Sequence, residues 1–237
     1  MSFIIAVHVK EGIVLASDSR TTYTQTTNDG DKQIVRIGTH TTDTTYKTFM
    51  CPNGVGISTC GDASIAGVPI TGYIEEFIRE NIDDTTDIVN VPQLLVEYFK
   101  TTPYVPDTNF IVAGYRSEND AKHQYVYWLN VLNEQIEKIN TNFQGARWDG
   151  ETQTLSKVIQ NTYMKDENGE EIYLGATSVS WGLFTLQDAI DFAQYAVDIT
   201  IKTMHYSDVV ETVGGPIDIL VIKPDKTFWI QHKELHA

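Results

Sequence analysis

The chain has 237 residues, and its 17 Lys and Arg against 32 Asp and Glu give a formal net charge of -15. That charge repels phosphate backbones and anionic lipid headgroups, so it argues against partners of either kind, nucleic acid or membrane surface. No apolar run approaches the ~20 residues of a membrane span, and no basic segment followed by an apolar one indicates secretion. We therefore expect one cytoplasmic domain over residues 1–237.

The predicted elements, taken in chain order, alternate between strand groups and helix pairs. Alternating apolar segments separated by turn residues predict antiparallel sets over residues 3–9 with 13–17, 45–51 with 54–59, 110–115 with 124–129 and 134–139, and 216–223 with 227–232. Helical periodicity predicts helices over residues 62–81, after 90, over 152–163 and over 186–204, with 164–171 as a solvated hairpin or loop. This order predicts an α+β fold of two stacked antiparallel sheets with a helix pair on each outer face.

Ser2 follows Met1 and opens the first predicted strand. A small second residue favours removal of the initiator methionine, which would leave Ser2 with both a hydroxyl and a free α-amine. N-terminal-nucleophile (Ntn) hydrolases use that pair, because the hydroxyl attacks an amide carbonyl while the amine accepts its proton. An α-amine titrates near ~7.7–8.0, which suits a base at neutral pH. The sequence therefore indicates an amide-hydrolysing function that depends on one processing step.

Three blocks carry a resemblance to a known family: GIVLASDSRT at residues 12–21, GVGISTCGDA at 54–63 and VGGPIDIL at 213–220. Together with the element order, they resemble the proteasome β-subunit family, which includes bacterial HslV and Anbu proteins. The resemblance covers nearly the whole chain. It implies a four-layer αββα sandwich of the Ntn-hydrolase type, assembled into a homo-oligomeric ring or helical array around a peptide or unfolded-protein substrate.

The resemblance also implies roles for residues of the first two predicted strands. Ser2 falls at the position of the family's nucleophile, which is usually a threonine. Asp18 falls at the position of its catalytic carboxylate, and Arg20, two residues on, projects from the same strand face. That spacing lets the carboxylate pair with a cation and steer it toward the nucleophile.

The family's catalytic lysine is harder to align. Matching the apolar positions of residues 32–37 places Gln33 where that lysine should stand, with Lys32 one residue away. A slip of one residue turns a side chain to the opposite face of a strand, so Lys32 would need a bulge or a shifted loop to reach the site. Either Lys32 supplies the charge, or Gln33 occupies the position and the site lacks its cation.

The remaining implied roles concern the pocket and the late turn. The resemblance gives the oxyanion-binding amide to Ser58 and substrate-pocket positions to Thr22, Gly56 and Cys60. Cys60 reads equally well as a small buried core residue. Thr212 falls where the family has a serine that orients the α-amine. Cys51 and Cys60 fit no metal-ligand spacing, and we expect neither metal nor cofactor.

Two function classes follow. The leading interpretation is a self-assembling serine-type Ntn peptidase, with an ATPase unfoldase as a candidate partner. The alternative is a non-catalytic proteasome-like assembly subunit in which Met1 is retained or the active-site lysine is lost. A small-molecule amidase is the weaker third interpretation, since other Ntn hydrolases act on such substrates.

Overall fold

A computed structural model describes residues 2–29, 32–175 and 178–234 of the chain. Those ranges contain antiparallel strands and helices in a mixed α/β arrangement. The strands are β1 (Phe3–Val9), β2 (Gly12–Ser17), β3 (Thr21–Asp29), β4 (Lys32–Thr42), β5 (Thr48–Met50), β6 (Gly56–Gly61), β7 (Ser64–Ile65), β8 (Val68–Pro69), β9 (Thr108–Glu118), β10 (Ala121–Asn130), β11 (Gln135–Lys138), β12 (Gly145–Gly150), β13 (Thr162–Lys165), β14 (Glu171–Gly175), β15 (Asp218–Ile222) and β16 (Thr227–Gln231). The helices are α1 (Ile70–Asn81), α2 (Val91–Lys100), α3 (Gln153–Ile159) and α4 (Leu186–His205).

Within the described ranges, ten strands form two five-stranded antiparallel sheets, and the others form two-stranded pairs. The first sheet has the order β12-β1-β2-β15-β16, and the second has the order β11-β10-β9-β6-β5. Strands β1 and β2 are buried along their whole length. Such strands need apolar side chains on both faces, which the runs FIIAVHV and GIVLAS largely supply.

Two apolar clusters flank β1. Ile4 and Leu15 pack with Ile111 and Val126 of the second sheet. The alternate residues of β1 pack instead with α4, through a stripe of small residues that includes Ala193. A third cluster joins α1 and α2 to β5, β6, β9 and β10. Successive strand side chains point to opposite faces, so β1 contacts both neighbours at once and its first residue is held firmly.

Helix α4 begins and ends close to its predicted bounds of residues 186–204. The Thr185 side chain accepts a hydrogen bond from the Asp188 N–H, and the Asp188 carboxylate accepts from the Thr185 N–H, which forms a capping box. No helix in the described part of the chain is both long and apolar enough to cross a bilayer.

Two predicted helix bounds were wrong, and a strand of the first sheet was not predicted. The first helix begins at Ile70, eight residues later than predicted, because Ala66 and Gly67 take positive φ angles of 50° and 82° in a turn between β7 and β8. The third helix ends at Ile159, and residues 162–165 form β13 of a hairpin with β14. Strand β12 was not predicted, although it forms the edge of the first sheet beside β1.

Candidate functional site

The carboxylate of Asp18 lies just beyond the end of β2 and is fully buried. Its Oδ1 accepts hydrogen bonds from the Phe3 N–H at 3.0 Å and from Lys47 Nζ at 2.8 Å. Its Oδ2 accepts from the N–H groups of Arg20 at 3.1 Å and of Gly214 at 3.0 Å. A buried charge is tolerated where it is both paired and hydrogen-bonded. These four donors attach the start of β1 and the segments before β5 and β15 to one carboxylate.

Lys47, immediately before β5, is the buried cation of this site. Besides its ion pair with Asp18, its Nζ donates to the backbone carbonyl of Arg20. An ammonium has three donors, so one remains for the pocket that Lys47 lines together with Ser2. Burial lowers the pKa of Lys47, while the Asp18 charge opposes that shift and the Lys233 charge adds to it. A buried lysine with a lowered pKa and a specific charge partner in a cleft marks a candidate functional residue.

Neither Lys32 nor Gln33 occupies this position, and the assignment of the cation next to Asp18 is corrected to Lys47. Lys32 is exposed, and in the backbone register of β3 and β4 it lies opposite Asp29, at the tip of the hairpin that these strands form. The base of the hairpin lies at Thr21, roughly 25 Å from the tip at the usual rise per residue of a strand. Gln33 lies next to the tip, and its side chain is outside the described part of the structure. The sequence alignment failed because this hairpin lengthens the chain between Asp18 and the lysine.

Ser2 lies at the start of β1 with its backbone fixed on the β12 side. Its carbonyl accepts a hydrogen bond from the Glu151 N–H at 2.7 Å. Gly150 lies so close that an added Cβ would be 1.9 Å from the Ser2 carbonyl oxygen, and its φ of +89° also favours glycine. Gly150 and Glu151 therefore fix the position of the Ser2 carbonyl. Met1, and with it the question of its removal, lies outside the described residues.

A small cleft of about 20 Å³ opens in front of Ser2. Its lining comes from the start of β1, the start of β3, the segment before β5 and the end of β6. The lining residues are Ser2, Thr21, Thr22, Thr45, Tyr46, Lys47, Thr59, Cys60, Gly61, Asp62, Ala63 and Ile70. The cleft has room for little more than one water molecule.

Cys60 and Gly61 form the wall of the cleft that belongs to β6. Burial, with a smaller contribution from the Asp149 charge, raises the pKa of the Cys60 thiol, which disfavours the thiolate that a cysteine nucleophile needs. Gly61 has a φ of +126°, and an added Cβ would be 2.4 Å from the Asp107 carbonyl oxygen. The backbone at residue 61 thus requires glycine.

Two of the predicted pocket residues lie in the core instead. A Cβ added to Gly56 would meet Leu15 at 2.6 Å, so this glycine permits close approach of the two sheets and does not line the Ser2 cleft. Ser58 is fully buried, and its hydroxyl is 2.9 Å from that of Thr48. Neither Gly56 nor Ser58 lines the Ser2 cleft, because β6 runs through the core and reaches the cleft only at its last residues, Thr59 to Gly61.

The other predicted positions are divided. Thr22 lines the cleft, where its hydroxyl donates to the Glu211 carbonyl at 3.3 Å. Thr212 is buried, and its hydroxyl faces Met204 Sδ of α4 at 3.8 Å, so the structure does not bring it to Ser2. From the same late turn, the group that reaches the site is the Gly214 amide bound to Asp18.

The Arg20 side chain faces away from Asp18. Its Nε and Nη2 form a bidentate pair with Asp43 at 2.7 and 2.8 Å, and its Nη1 donates to Glu211 at 2.5 Å. A Cβ on Gly214 would be 2.6 Å from the guanidinium carbon. The Arg20 side chain therefore holds the segments after β4 and after α4 next to the site. Its backbone N–H donates to Asp18, and its carbonyl accepts from Lys47.

A second lysine–aspartate pair supports the segment that carries Lys47. The Lys233 ammonium binds the fully buried Asp218 and lies 4.4 Å from the ring centroid of Tyr46, next to Lys47. The Tyr46 ring also stacks on His232 at 5.0 Å. The end of the described chain thus covers Tyr46 and holds the wall of the cleft.

Sequence reasoning missed Lys47, Gly61, Gly150 and Gly214. Lys47 carried a usable signal, since it is the single charged residue in the predicted strand 45–51. The glycines contribute backbone amides or close approach, and no side-chain pattern distinguishes them from turn glycines. Their roles became visible only with the contacts across β1, β6 and β12.

Similar proteins were found by comparing structures and not by comparing sequences. The sequence matches no protein-family model and no curated protein. The fold is similar to Anbu (ancestral β-subunit) from Yersinia bercovieri, with a TM-score of 0.56 and 13% identity over 96% of this chain and 86% of that chain. It is also similar to an Anbu (Gly-1) mutant from Hyphomicrobium sp. strain MC1, with a TM-score of 0.58 and 14% identity over 98% of this chain and 86% of that chain. The chain therefore shares the fold of these proteins.

Proposed function

We propose that the chain is a proteasome-related Ntn hydrolase that cleaves peptide bonds through Ser2 after removal of Met1. The observation that carries this proposal is that Ser2 and the buried Lys47 line one cleft. Lys47 forms an ion pair there with the Asp18 carboxylate, each oxygen of which accepts two hydrogen bonds. The fold shared with Anbu proteins supports it. The same likeness supports a four-layer αββα arrangement for the two sheets and their helices.

In the proposed reaction, Ser2 Oγ attacks the substrate carbonyl and its proton passes to the free Ser2 α-amine. The C–N bond of the substrate breaks, the leaving amine takes that proton, and an ester remains on Ser2. Water, deprotonated by the same amine, then attacks the ester and releases the acid. Lys47 favours the charged oxygen of Ser2 electrostatically, while Asp18 fixes the lysine and the start of β1.

The oxyanion donor that we propose is the Gly61 amide, in place of Ser58. The Thr59 N–H donates to the Lys47 carbonyl at 2.9 Å, whereas the Asp62 N–H donates to Asp107 on the other side of the strand. Amides alternate along a strand, so the Gly61 N–H lies on the Lys47 side, where β5 has not yet begun. A backbone donor fixed there needs no reorganisation during the reaction.

The small volume of the cleft favours an assembled state. A cleft of about 20 Å³ does not accept an amino-acid side chain. We propose that a neighbouring copy of the chain completes the substrate pocket in a cytoplasmic ring or helical assembly. An unfolding ATPase remains a candidate partner for supplying unfolded substrate.

The test is peptide hydrolysis by protein whose intact mass shows loss of Met1. We expect the parent to cleave members of a fluorogenic peptide library, Ser2→Thr to retain activity, and Ser2→Ala to lose it by at least about a thousandfold. Ser117→Ala, at an exposed serine of β9, is the matched control and should leave the rate unchanged.

Two results contradict the proposal. One is equal activity of Ser2→Ala and the parent, which would assign cleavage to a contaminant or another group. The other is no cleavage of any peptide by assembled protein with Ser2 exposed. The second result would favour the non-catalytic assembly subunit, and a monomer that hydrolyses only small amides would favour the amidase.

A further inference from the structure

A second, larger cleft of about 850 Å³ lies at the opposite end of β1 from Ser2. His8, Val9 and Lys10 form its wall on the β1 side. The end of β9, the start of β10 and residues between 138 and 144 form most of the remainder, with Gly182 and Pro224 at its edge. His8 lies six residue steps along the strand from Ser2, which corresponds to roughly 20 Å. The two clefts share no lining residue among those that the structure describes.

The lining of this cleft is basic although the whole chain carries a net charge of -15. Lys10, Lys122 and Lys138 line it together with His123, against a single acid, Glu118. Glu118 already has two partners, since Tyr125 donates to it and the Arg116 guanidinium lies at 3.2 Å. Three lysines against one carboxylate leave the cleft with a net positive charge, although the Glu118 charge also attracts Lys138.

The lysine charges have no carboxylate partner among the described residues. Lys122 Nζ donates to the neutral carbonyl of Pro224, and Lys138 Nζ lies 3.8 Å from the ring centroid of Tyr125. Among the described residues, the Lys10 ammonium forms no hydrogen bond and no ion pair. All three keep donors for an anion, and charge-assisted hydrogen bonds of this kind are stronger than neutral ones.

His8 adds a buried, unsatisfied group to the same wall. The residue is 3% exposed, and its Nδ1 has no hydrogen-bond partner. A buried polar atom without a partner costs free energy that a ligand can recover. Tyr115 adds a hydroxyl proton that its own contact leaves unused, because its oxygen accepts from Gln124 Nε2 at 2.9 Å.

We propose that this cleft binds a small organic anion with at least two negative charges, carried by carboxylate or phosphate groups. The cleft volume admits a ligand of metabolite size, three lysines supply the charge, and His8 and Tyr115 supply polar groups on the wall. This proposal does not depend on the hydrolase function, because Ser2 and Lys47 lie in the other cleft.

The test is calorimetric titration of the purified full chain at constant ionic strength, with citrate as the tricarboxylate probe and pyrophosphate as the phosphate probe. We expect saturable binding of at least one probe, and the one that binds more tightly identifies the headgroup. The double variant K10Q/K138Q should weaken that binding about tenfold. Its melting temperature should stay near that of the parent, because both side chains are exposed.

The matched control is K157Q/K165Q, which removes two exposed lysines elsewhere and changes the net charge equally. Retained binding in this control together with loss in K10Q/K138Q supports the site. Equal weakening in both double variants would assign the binding to net charge and overturn the proposal. Absence of saturable binding of both probes at millimolar concentration would overturn it as well.

Discussion

The two ends of β1 are built on opposite principles. At the Ser2 end, both oxygens of the buried Asp18 carboxylate are hydrogen-bonded, each by two donors, and the cleft holds about 20 Å³. At the His8 end, a buried ring nitrogen has no partner and the lysines form no ion pair with a carboxylate among the described residues, and the cleft holds about 850 Å³. Strand β1 thus begins at a small site whose Asp18 carboxylate is fully hydrogen-bonded, and it ends at a large cleft lined by lysines.

Rigidly held groups and unused hydrogen-bond donors are divided between the two ends of β1. A proposed nucleophile needs its oxygen held within a fraction of an ångström, so its neighbours should be saturated. A ligand site needs free donors, so its neighbours should be left unsaturated. Each prediction below changes one end of β1 and leaves the other as reference.

The largest effect is expected from Lys47→Met, which leaves the buried Asp18 carboxylate without its cation. Breaking a buried ion pair in this way costs about 3–5 kcal/mol, and we expect that loss in the free energy of unfolding by denaturant titration. Hydrolysis, if present in the parent, should also be lost. Lys32→Met is the control, because Lys32 is exposed at a hairpin tip and should change stability by less than about 0.5 kcal/mol. A larger effect in Lys32→Met would reverse the assignment of the lysine position.

Gly150→Ala tests the close contact between β12 and the Ser2 backbone. The added Cβ would be 1.9 Å from the Ser2 carbonyl oxygen at a φ of +89°, so we expect a loss of about 3 kcal/mol or a shift of Ser2. Gly145→Ala on the same strand is the matched control, since its added Cβ would meet His8 at an ordinary 3.4 Å. Thermal unfolding of both variants measures the difference. Equal melting temperatures would show that β12 does not hold Ser2 as tightly as the contacts indicate.

The smallest effect concerns pH at the other end of β1. Burial lowers the pKa of His8 below its ordinary value of 6.5, so the unfolded chain binds a proton that the folded chain does not. Stability contributed by neutral His8 is therefore lost as the pH falls from about 6.5 toward the folded pKa. We expect His8→Gln to lose less stability between pH 7.5 and 5 than the parent, as measured by denaturant titration at each pH.

His123→Gln, at an exposed histidine of the same cleft, is the control for that pH series and should follow the parent. Parallel stability curves for His8→Gln and the parent would mean that His8 gains a partner on protonation. Lys10, which borders the same cleft, disfavours that outcome because its charge repels a second cation.

The sequence alone determined the elements whose signals are local. Strands β1 and β2, the helix α4 and the last hairpin follow from apolar runs, turn residues and helical spacing, which neighbouring residues specify. Asp18 was singled out by the resemblance of residues 12–21 to a known family, and the structure brings its carboxylate to the start of β1. Local interactions specify these strands, this helix and this hairpin, since each depends on residues close together in the chain.

Only the tertiary structure decided the rest of the candidate site. Lys47 reaches Asp18 because the β3–β4 hairpin takes up the intervening chain, and nothing in a local pattern fixes the length of such an excursion. Gly61 and Gly214 act through backbone amides, and Gly150 through the absence of a side chain, so no residue type signals their position. Contacts between distant segments create these sites, and those contacts exist only after the sheets have paired.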